Sequence, residues 1–162
     1  MAERLWAPWR LAYVAGDKEG ECFLCRAAAT DDAAASLVVY RDERIVALLN
    51  RFPYNNGHLL VAPTAHVADL ADLDDATVVA LWRTVDRMKG VLDAVSAPHG
   101  YNVGINLGTA AGAGLADHLH VHVVPRWDGD TNFMPVLADV KVVPEALETL
   151  REKLVAALAE QA

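Results

Sequence analysis

Short apolar runs, separated by polar connections that contain proline or glycine, occupy much of the first two thirds of the chain. Runs of this length, rich in valine, leucine, isoleucine and tyrosine, predict β-strands. They lie at residues 36–40, 45–49, 58–63 and 101–107. The first two runs are joined by the four polar residues 41–44, as in a hairpin, so the first three strands are expected to form an antiparallel sheet.

A different periodicity, with apolar residues three or four positions apart, predicts two amphipathic helices. The acidic pair Asp74 and Asp75 opens the first helix, which is expected to end before Pro98. The apolar stripe expected to cover the sheet consists of Val78, Leu81, Trp82, Val85, Met88, Val91, Leu92 and Val95. The second helix is predicted from Pro144 to about Leu158.

Three histidines alternate with apolar residues in the segment 118–126. On a β-strand, His118, His120 and His122 would line one face. The intervening apolar residues would face the core: Leu119, Val121 and Val123. A solvated strand face is the plain alternative, but three imidazoles in register indicate a metal site or a catalytic site.

The segment 108–114, just before the histidines, contains three glycines. Glycine lets backbone N–H groups approach an anion closely, so this loop is a candidate phosphate cradle. Neither the Walker A spacing nor Gly-x-Gly-x-x-Gly is present, and a plain flexible connection fits equally well. The position of the loop directly before the histidines favours the phosphate interpretation.

Composition narrows the range of partners. The 162 residues correspond to one domain, and 22 acidic against 14 basic residues give a formal charge of −8. This balance argues against sequence-blind binding to nucleic acid or to an anionic membrane. No apolar run approaches the length that spans a bilayer, and the start of the sequence lacks the pattern of a signal peptide. A cytoplasmic location with reduced cysteines is therefore expected.

Those cysteines form a Cys-x-x-Cys pair, Cys22 and Cys25. In a reducing compartment such a pair is either half of a metal site or a redox pair. A redox pair of the thioredoxin kind follows a β-strand, and residues 16–21 contain no apolar run, so the metal interpretation is favoured. A metal would need two further ligands from elsewhere in the chain.

The histidines support two kinds of chemistry. A neutral imidazole can attack phosphorus and form a covalent intermediate, provided that its other nitrogen is held by an acceptor. Alternatively, three histidines can hold a catalytic zinc ion. No glutamate base lies near the histidines in the sequence, which weighs against the zinc alternative.

Two segments, 55–63 and 118–126, resemble the motifs of the histidine triad (HIT) superfamily. Further segments resemble its bacterial diadenosine-tetraphosphate phosphorylase branch; they are residues 5–8, 102–109, 117–122 and 126–133. The resemblance implies an α+β fold, in which a HIT-like antiparallel sheet is flanked by a long central helix and a C-terminal helix. It also implies a homodimer and a single HIT domain over residues 1–162, made of an N-terminal arm (1–21), a core (22–133) and a C-terminal segment with a helix (134–162).

The resemblance also implies a role for each matching residue. His120 would attack the α-phosphorus and carry the nucleotidyl group, while His122 would bind phosphate and assist the leaving group. His58 would sit behind His120 in the supporting hydrogen-bond network, and the first triad histidine, His118, is counted among the catalytic residues. The residues expected to contact the nucleotide are Asn50 at the ribose and Asn106, Gly112, Ala113 and Gly114 at the phosphates. Many relatives have a serine where this chain has Gly114.

Some relatives bind structural zinc through a Cys-x-x-Cys pair, a histidine after the third strand and the first triad histidine. The matching residues here are Cys22, Cys25, His66 and His118. The resemblance therefore implies a closed Cys₂His₂ zinc site, which would supply the missing ligands for the cysteine pair. The alternative is two ordinary buried cysteines and a loop histidine. No organic cofactor is implied.

The predicted function is phosphorolysis of diadenosine tetraphosphate to ADP and ATP, through a nucleotidyl intermediate on His120. The substrate class would be adenine nucleotides or dinucleoside polyphosphates. One alternative is a HIT hydrolase that acts on a dinucleoside polyphosphate or an adenosine phosphoramidate. A second is a non-catalytic nucleotide-binding module, although a pure binder has no need of a nucleophile.

Overall fold

The computed structural model describes residues 21–130 and 145–161. The predicted N-terminal arm lies outside these residues except for Glu21, and so does the predicted helix start at Pro144. No helix in the described part of the chain is long and apolar enough to cross a membrane.

The described residues form five strands and three α-helices. The helices are α1 (Phe23–Ala29), α2 (Asp75–Ser96) and α3 (Leu147–Glu160). The strands are β1 (Val38–Arg41), β2 (Ile45–Leu49), β3 (Leu59–Pro63), β4 (Gly100–Ile105) and β5 (Val121–Arg126). They form one antiparallel sheet in the order β1-β2-β3-β5-β4, so the predicted α+β class and the predicted pairing of the first three strands are confirmed.

The histidine segment is shorter as a strand than predicted. A strand over 118–126 is wrong for its first three residues, because their polar groups bond outside the sheet ladder. The N–H of Leu119 donates to the carbonyl of Val67 at 2.7 Å, and the carbonyl of His118 accepts from a side chain. The alternation nevertheless continues: Leu119 joins the same apolar cluster as Val121. The fourth strand also ends earlier than expected, at Ile105 rather than residue 107.

Helix α2 begins and ends close to the predicted positions. The side chain of Asp74 accepts from the N–H of Thr77 at 2.6 Å, and Ala97 ends the helix in the left-handed conformation. One member of the predicted stripe is misplaced, since the Trp82 side chain is 46% exposed. Its neighbour Leu81 is fully buried, and a step of one residue turns a helical side chain by about 100° away from the sheet.

The sheet packs on both faces. Helices α2 and α3 cover one face through a large apolar cluster that includes Leu59 and Val121. Helix α1 packs on the other face through a smaller cluster that includes Leu24 and Leu60. Leu60 is paired with His122 across β3 and β5, so the His122 side chain lies on the α1 face of the sheet. The fold therefore separates the histidines from the main core.

Gly57 holds the chain just before His58, and its replacement by alanine is expected to destabilise the protein. Its φ is +75°, and a Cβ atom there would lie 2.9 Å from Leu92 Cδ2. Backbone strain of about 1–2 kcal/mol and overpacking of about 1–3 kcal/mol should lower the free energy of unfolding of Gly57→Ala by about 2–5 kcal/mol, measured by urea denaturation.

Gly100→Ala is the matched control for this measurement. No atom lies within 4 Å of a Cβ at Gly100, and its φ is not in the left-handed region, so a change within about 0.5 kcal/mol is expected. Equal effects of the two substitutions would contradict the interpretation of Gly57.

Candidate active site and metal centre

The ring of His120 is held by a hydrogen bond at Nδ1, and its other nitrogen, Nε2, takes no part in that bond. Its Nδ1–H donates to the carbonyl of His118 at 2.8 Å, which leaves the lone pair on Nε2. The side chain is only 6% exposed, and this burial lowers the pKa of His120 below the ordinary value of 6.5. The structure thus presents a neutral imidazole with a defined tautomer, as a nitrogen nucleophile requires.

His122 carries its hydrogen on Nε2, whereas His120 carries its hydrogen on Nδ1. The backbone N–H of Tyr54 donates to His58 Nδ1 at 3.1 Å, so His58 carries its hydrogen on Nε2. That Nε2–H donates to His122 Nδ1 at 2.9 Å, and His122 therefore carries its own hydrogen on Nε2. His120 and His122 lie side by side, with ring centroids 4.9 Å apart. A nucleophilic nitrogen and a proton-donating nitrogen are thus adjacent.

His58 is placed differently from the expected role. The resemblance implied that His58 supports His120, but its ring hydrogen-bonds to His122, and His120 is held by His118 instead. The Asn50 side chain joins the same network: its Nδ2 lies 3.2 Å from His58 Nδ1, and its Oδ1 accepts from the N–H of Phe52.

The glycine-rich loop uses two of its predicted phosphate donors internally. The N–H of Gly112 donates to Thr109 at 3.0 Å, and the N–H of Ala113 donates to Gly108 at 3.4 Å. The N–H of Gly114 has no backbone acceptor among the described residues. Asn106 directly follows Ile105, which is paired with Val121, so it lies at the same end of the sheet as His120.

A cavity of about 490 Å³, called the α1 cavity below, opens beside the histidines. Its lining includes Phe23, Leu37, Leu48, Asn50, Phe52 and Leu60. Leu60 is paired with His122 across the sheet, which places the cavity on the histidine side, one strand away. No sequence signal predicted this cavity.

Two further groups in the site received no role from the sequence. The Tyr54 ring lies 4.7 Å from the His58 ring and 5.8 Å from the His122 ring, measured between centroids. Asn55 donates to Asp130 at 2.8 Å, and Asp130 also binds Arg126 through two hydrogen bonds. These bonds tie the loop before His58 to the end of β5.

The four predicted metal ligands meet at the start of α1. The candidate ligand atoms of Cys22, Cys25, His66 and His118 all lie within 4.8 Å of one another. His118 Nδ1 is 3.2 Å from Cys22 Sγ, and His66 Nδ1 is 3.1 Å from Cys25 Sγ. The Nε2–H of His118 donates to the carbonyl of Pro63 at 2.9 Å, so the nitrogen that faces the sulfurs carries a lone pair. Two thiols and two imidazoles are the donor set of a structural zinc site.

In the absence of a cation, the surroundings of Cys25 disfavour its ionisation. Burial, followed by the neighbouring Cys22, raises the pKa of Cys25 to about 11. A bound cation would reverse this effect, because metal ions stabilise the thiolate that binds them. His118 connects the two sites: its ring faces the cysteines, and its carbonyl accepts the hydrogen bond from His120.

Comparisons with known proteins agree with this geometry. Residues 32–129 match the family model for the HIT domain. The chain is 41% identical over 169 aligned residues to the AP-4-A phosphorylase of Mycobacterium tuberculosis, an alignment that covers 98% of this chain and 86% of the relative. It is also 35% identical over 95 residues to the asymmetrical bis(5'-nucleosyl)-tetraphosphatase of Schizosaccharomyces pombe, covering 59% of this chain and 52% of that protein.

Among solved structures, a Zn-bound histidine triad family protein from Mycobacterium smegmatis superimposes with a TM-score of 0.70 and 30% identity, over 87% of this chain and 95% of that one. The family model alone spans more than half of the chain, and the relative from M. tuberculosis aligns over nearly all of it. The resemblance predicted from the histidine motif is therefore confirmed: the chain belongs to the HIT family.

Proposed function

We propose that this protein transfers a nucleotidyl group through a covalent intermediate on His120, and that its reaction is the phosphorolysis of diadenosine tetraphosphate to ADP and ATP. The observation that carries the proposal is that His120 has a lone pair on Nε2 while its neighbour His122 has a hydrogen on Nε2. The identity to the M. tuberculosis AP-4-A phosphorylase supports phosphate as the acceptor.

In the first step, His120 Nε2 attacks the α-phosphorus, and a P–N bond replaces the bond to the bridging oxygen. ATP leaves as the anion, with the electron pair of the broken P–O bond on its leaving oxygen, and that oxygen accepts a hydrogen bond from His122 Nε2–H, whose position is set by His58. In the second step, inorganic phosphate attacks the same phosphorus, the P–N bond breaks and ADP is released. Splitting the displacement in two makes each step easier than direct attack by phosphate.

The described residues leave room for the nucleotide next to this pair. We place the transferred nucleoside in the α1 cavity, with Asn50 at the ribose, because the cavity is apolar and lies one strand from His122. Asn106 and the backbone of residues 112–114 are proposed to contact the phosphates. Since Gly114 has no hydroxyl, its contact would come from the N–H group.

Rapid mixing tests the proposal. Wild-type protein is mixed with diadenosine tetraphosphate, quenched and weighed by mass spectrometry, while the products are assayed with and without inorganic phosphate. An AMP-sized adduct and phosphate-dependent ADP are expected. Release of AMP and ATP regardless of phosphate would identify a hydrolase, which the identity to the S. pombe tetraphosphatase makes the second candidate. Absence of both adduct and turnover would favour a nucleotide-binding module.

The pH dependence of adduct formation is a further prediction. Burial lowers the pKa of His120 below 6.5, so its neutral form persists as the solution becomes mildly acidic. We expect the rate of the first step, measured without phosphate, to stay level down past pH 6.5 and to fall only below it. The same shift makes stability depend on pH. As the pH falls through about 6.5, the unfolded chain takes up a proton on His120 before the folded chain does. The free energy of unfolding is therefore highest above about pH 6.5 and decreases at lower pH. A rate that falls above pH 6.5 would contradict the assignment.

We also propose that Cys22, Cys25, His66 and His118 hold a structural zinc ion in a reducing, cytoplasmic environment. The four ligand atoms are close enough to surround one ion, and the structural neighbour from M. smegmatis is described as Zn-bound. When bound, zinc would hold α1 against the segment that precedes β5. The chemistry on phosphorus stays with His120 and His122.

A homodimer is proposed from the exposed side of α2 and β4. Strand β4 is an edge of the sheet, and Val103 on it is exposed, as are Val79 and Trp82 on α2. Trp82 lies two helical turns before Lys89, whose carbonyl accepts from Tyr101 of β4, so the two surfaces are neighbours.

Trp82→Glu is expected to halve the mass measured by sedimentation equilibrium, because it places a charge in an apolar contact. The control is Glu43→Lys, in the connection between β1 and β2 at the other edge of the sheet, which should leave the mass unchanged. A wild-type protein that sediments as a single chain would refute the proposed dimer.

A further inference from the structure

One wall of the α1 cavity is formed by α1 and the residue that follows it. Phe23, Arg26 and Thr30 follow each other at spacings of three and four residues, so they share one side of this segment, and all three line the cavity. The apolar Leu24, between them in sequence, packs instead into the cluster under the sheet. The cavity therefore has a cationic side chain on a largely apolar wall.

The guanidinium of Arg26 differs from the other arginines around it. Arg51 donates to the carbonyl of Ala35, and Arg41 donates to the carbonyls of Ala28 and Thr30. Arg26 has no acceptor or carboxylate partner within residues 21–130 and 145–161. Within the described ranges, its five N–H donors are therefore left for a molecule in the cavity.

Three acceptors on the cavity wall each accept a hydrogen bond from the protein itself. Asn50 Oδ1 accepts from the N–H of Phe52, and Thr30 Oγ1 accepts from the N–H of Asp32. The carbonyl of Ala35 accepts from Arg51. The Arg26 guanidinium beside these acceptors favours a ligand whose edge itself presents acceptors.

We propose that Arg26 donates two hydrogen bonds to O6 and N7 of a guanine base in the α1 cavity, and that the site therefore accepts guanosine nucleotides as well as adenosine nucleotides. The proposal rests on the proposed function, in that the cavity holds the transferred nucleoside. Guanine presents two adjacent acceptors that match the planar fork of an arginine. Adenine presents one acceptor beside its N6 amino group, which is itself a donor and would face the guanidinium.

Binding of nucleoside monophosphates tests this inference without any need for turnover. Calorimetric titrations with GMP and with AMP are made on the full chain in four forms: wild type, Arg26→Met, Arg26→Lys and the control Arg83→Met. Among the described residues, Arg83 also has no acceptor or carboxylate partner, but it lies on α2, outside this cavity. Arg26→Met is expected to weaken GMP binding about tenfold relative to AMP binding. Arg26→Lys should not restore it, because an ammonium group cannot make the paired contact.

Every other result overturns the inference. An unchanged ratio of GMP to AMP affinity would show that Arg26 does not read the base. Equal weakening of both ligands, restored by lysine, would show that Arg26 binds phosphate. Failure of both monophosphates to bind wild type would show that the cavity is not the nucleoside site. None of these outcomes depends on whether phosphate is the acceptor, which the phosphorolysis assay decides separately.

Discussion

Replacing His120 with alanine is expected to remove the adenylyl adduct completely and to lower kcat on diadenosine tetraphosphate by about 10⁴-fold to 10⁶-fold. The reason is that the proposed reaction proceeds through a bond to His120 Nε2, and the loss of a nucleophile has effects of this size in covalent enzymes. The adduct is measured by intact-protein mass spectrometry after rapid quenching, and kcat by the formation of ADP and ATP.

Two controls separate lost chemistry from lost structure. His120→Ala should still bind AMP, because the α1 cavity lies one strand away from the histidines. His99→Ala changes an exposed histidine that hydrogen-bonds the backbone of Asp128 and should retain both the adduct and the rate. An adduct on His120→Ala, or a rate within tenfold of wild type, would place the nucleophile elsewhere.

The second large effect is expected from Cys22→Ser. Wild type purified without added zinc should contain one zinc ion per chain, and Cys22→Ser should contain less than one. A metal held by Cys22 and His118 joins residues 96 positions apart, so its loss should resemble the loss of a covalent cross-link, about 2–5 kcal/mol in the free energy of unfolding. Metal analysis and urea denaturation of the two proteins measure these effects.

Activity should fall together with metal content, although the ion is proposed to be structural. The carbonyl of His118 holds His120 in its tautomer, and a displaced His118 would release that support. Ala29→Ser, at the exposed end of α1, is the matched control and should keep zinc, stability and rate. Wild type and Cys22→Ser that are both free of metal would reject the zinc proposal.

The sequence predicted those features that depend on local alternation. The faces occupied by Leu119 and by His122 follow from a side-chain period of two, and both are as expected. The start of β5 could not be predicted, because it depends on the N–H of Leu119 finding the carbonyl of Val67 rather than a neighbouring strand. The exposure of Trp82 is similar, since the orientation of α2 on the sheet decides that Leu81 is buried and that its neighbour Trp82 is not.

In the site, too, some features could be predicted from the sequence and others could not. The motif resemblance assigned roles to His120 and His122, but the tautomers that suit those roles are set by groups distant in sequence, such as the Tyr54 N–H and the His118 carbonyl. The closeness of Cys22 and His66 depends on the packing of α1 against the sheet. The α1 cavity depends on what that packing leaves unfilled, which no residue pattern encodes.

The register between β3 and β5 has a consequence for refolding. Leu60 pairs with His122, and Leu59 pairs with Val123. A slip of one residue would turn the histidines towards the apolar cluster of α2 and the valines towards the site. Each imidazole buried there without a partner would destabilise the slipped molecule by about 1–3 kcal/mol. Molecules that are folded but out of register should therefore be rare, and the fraction of refolded protein that can be adenylylated should equal the fraction that has folded.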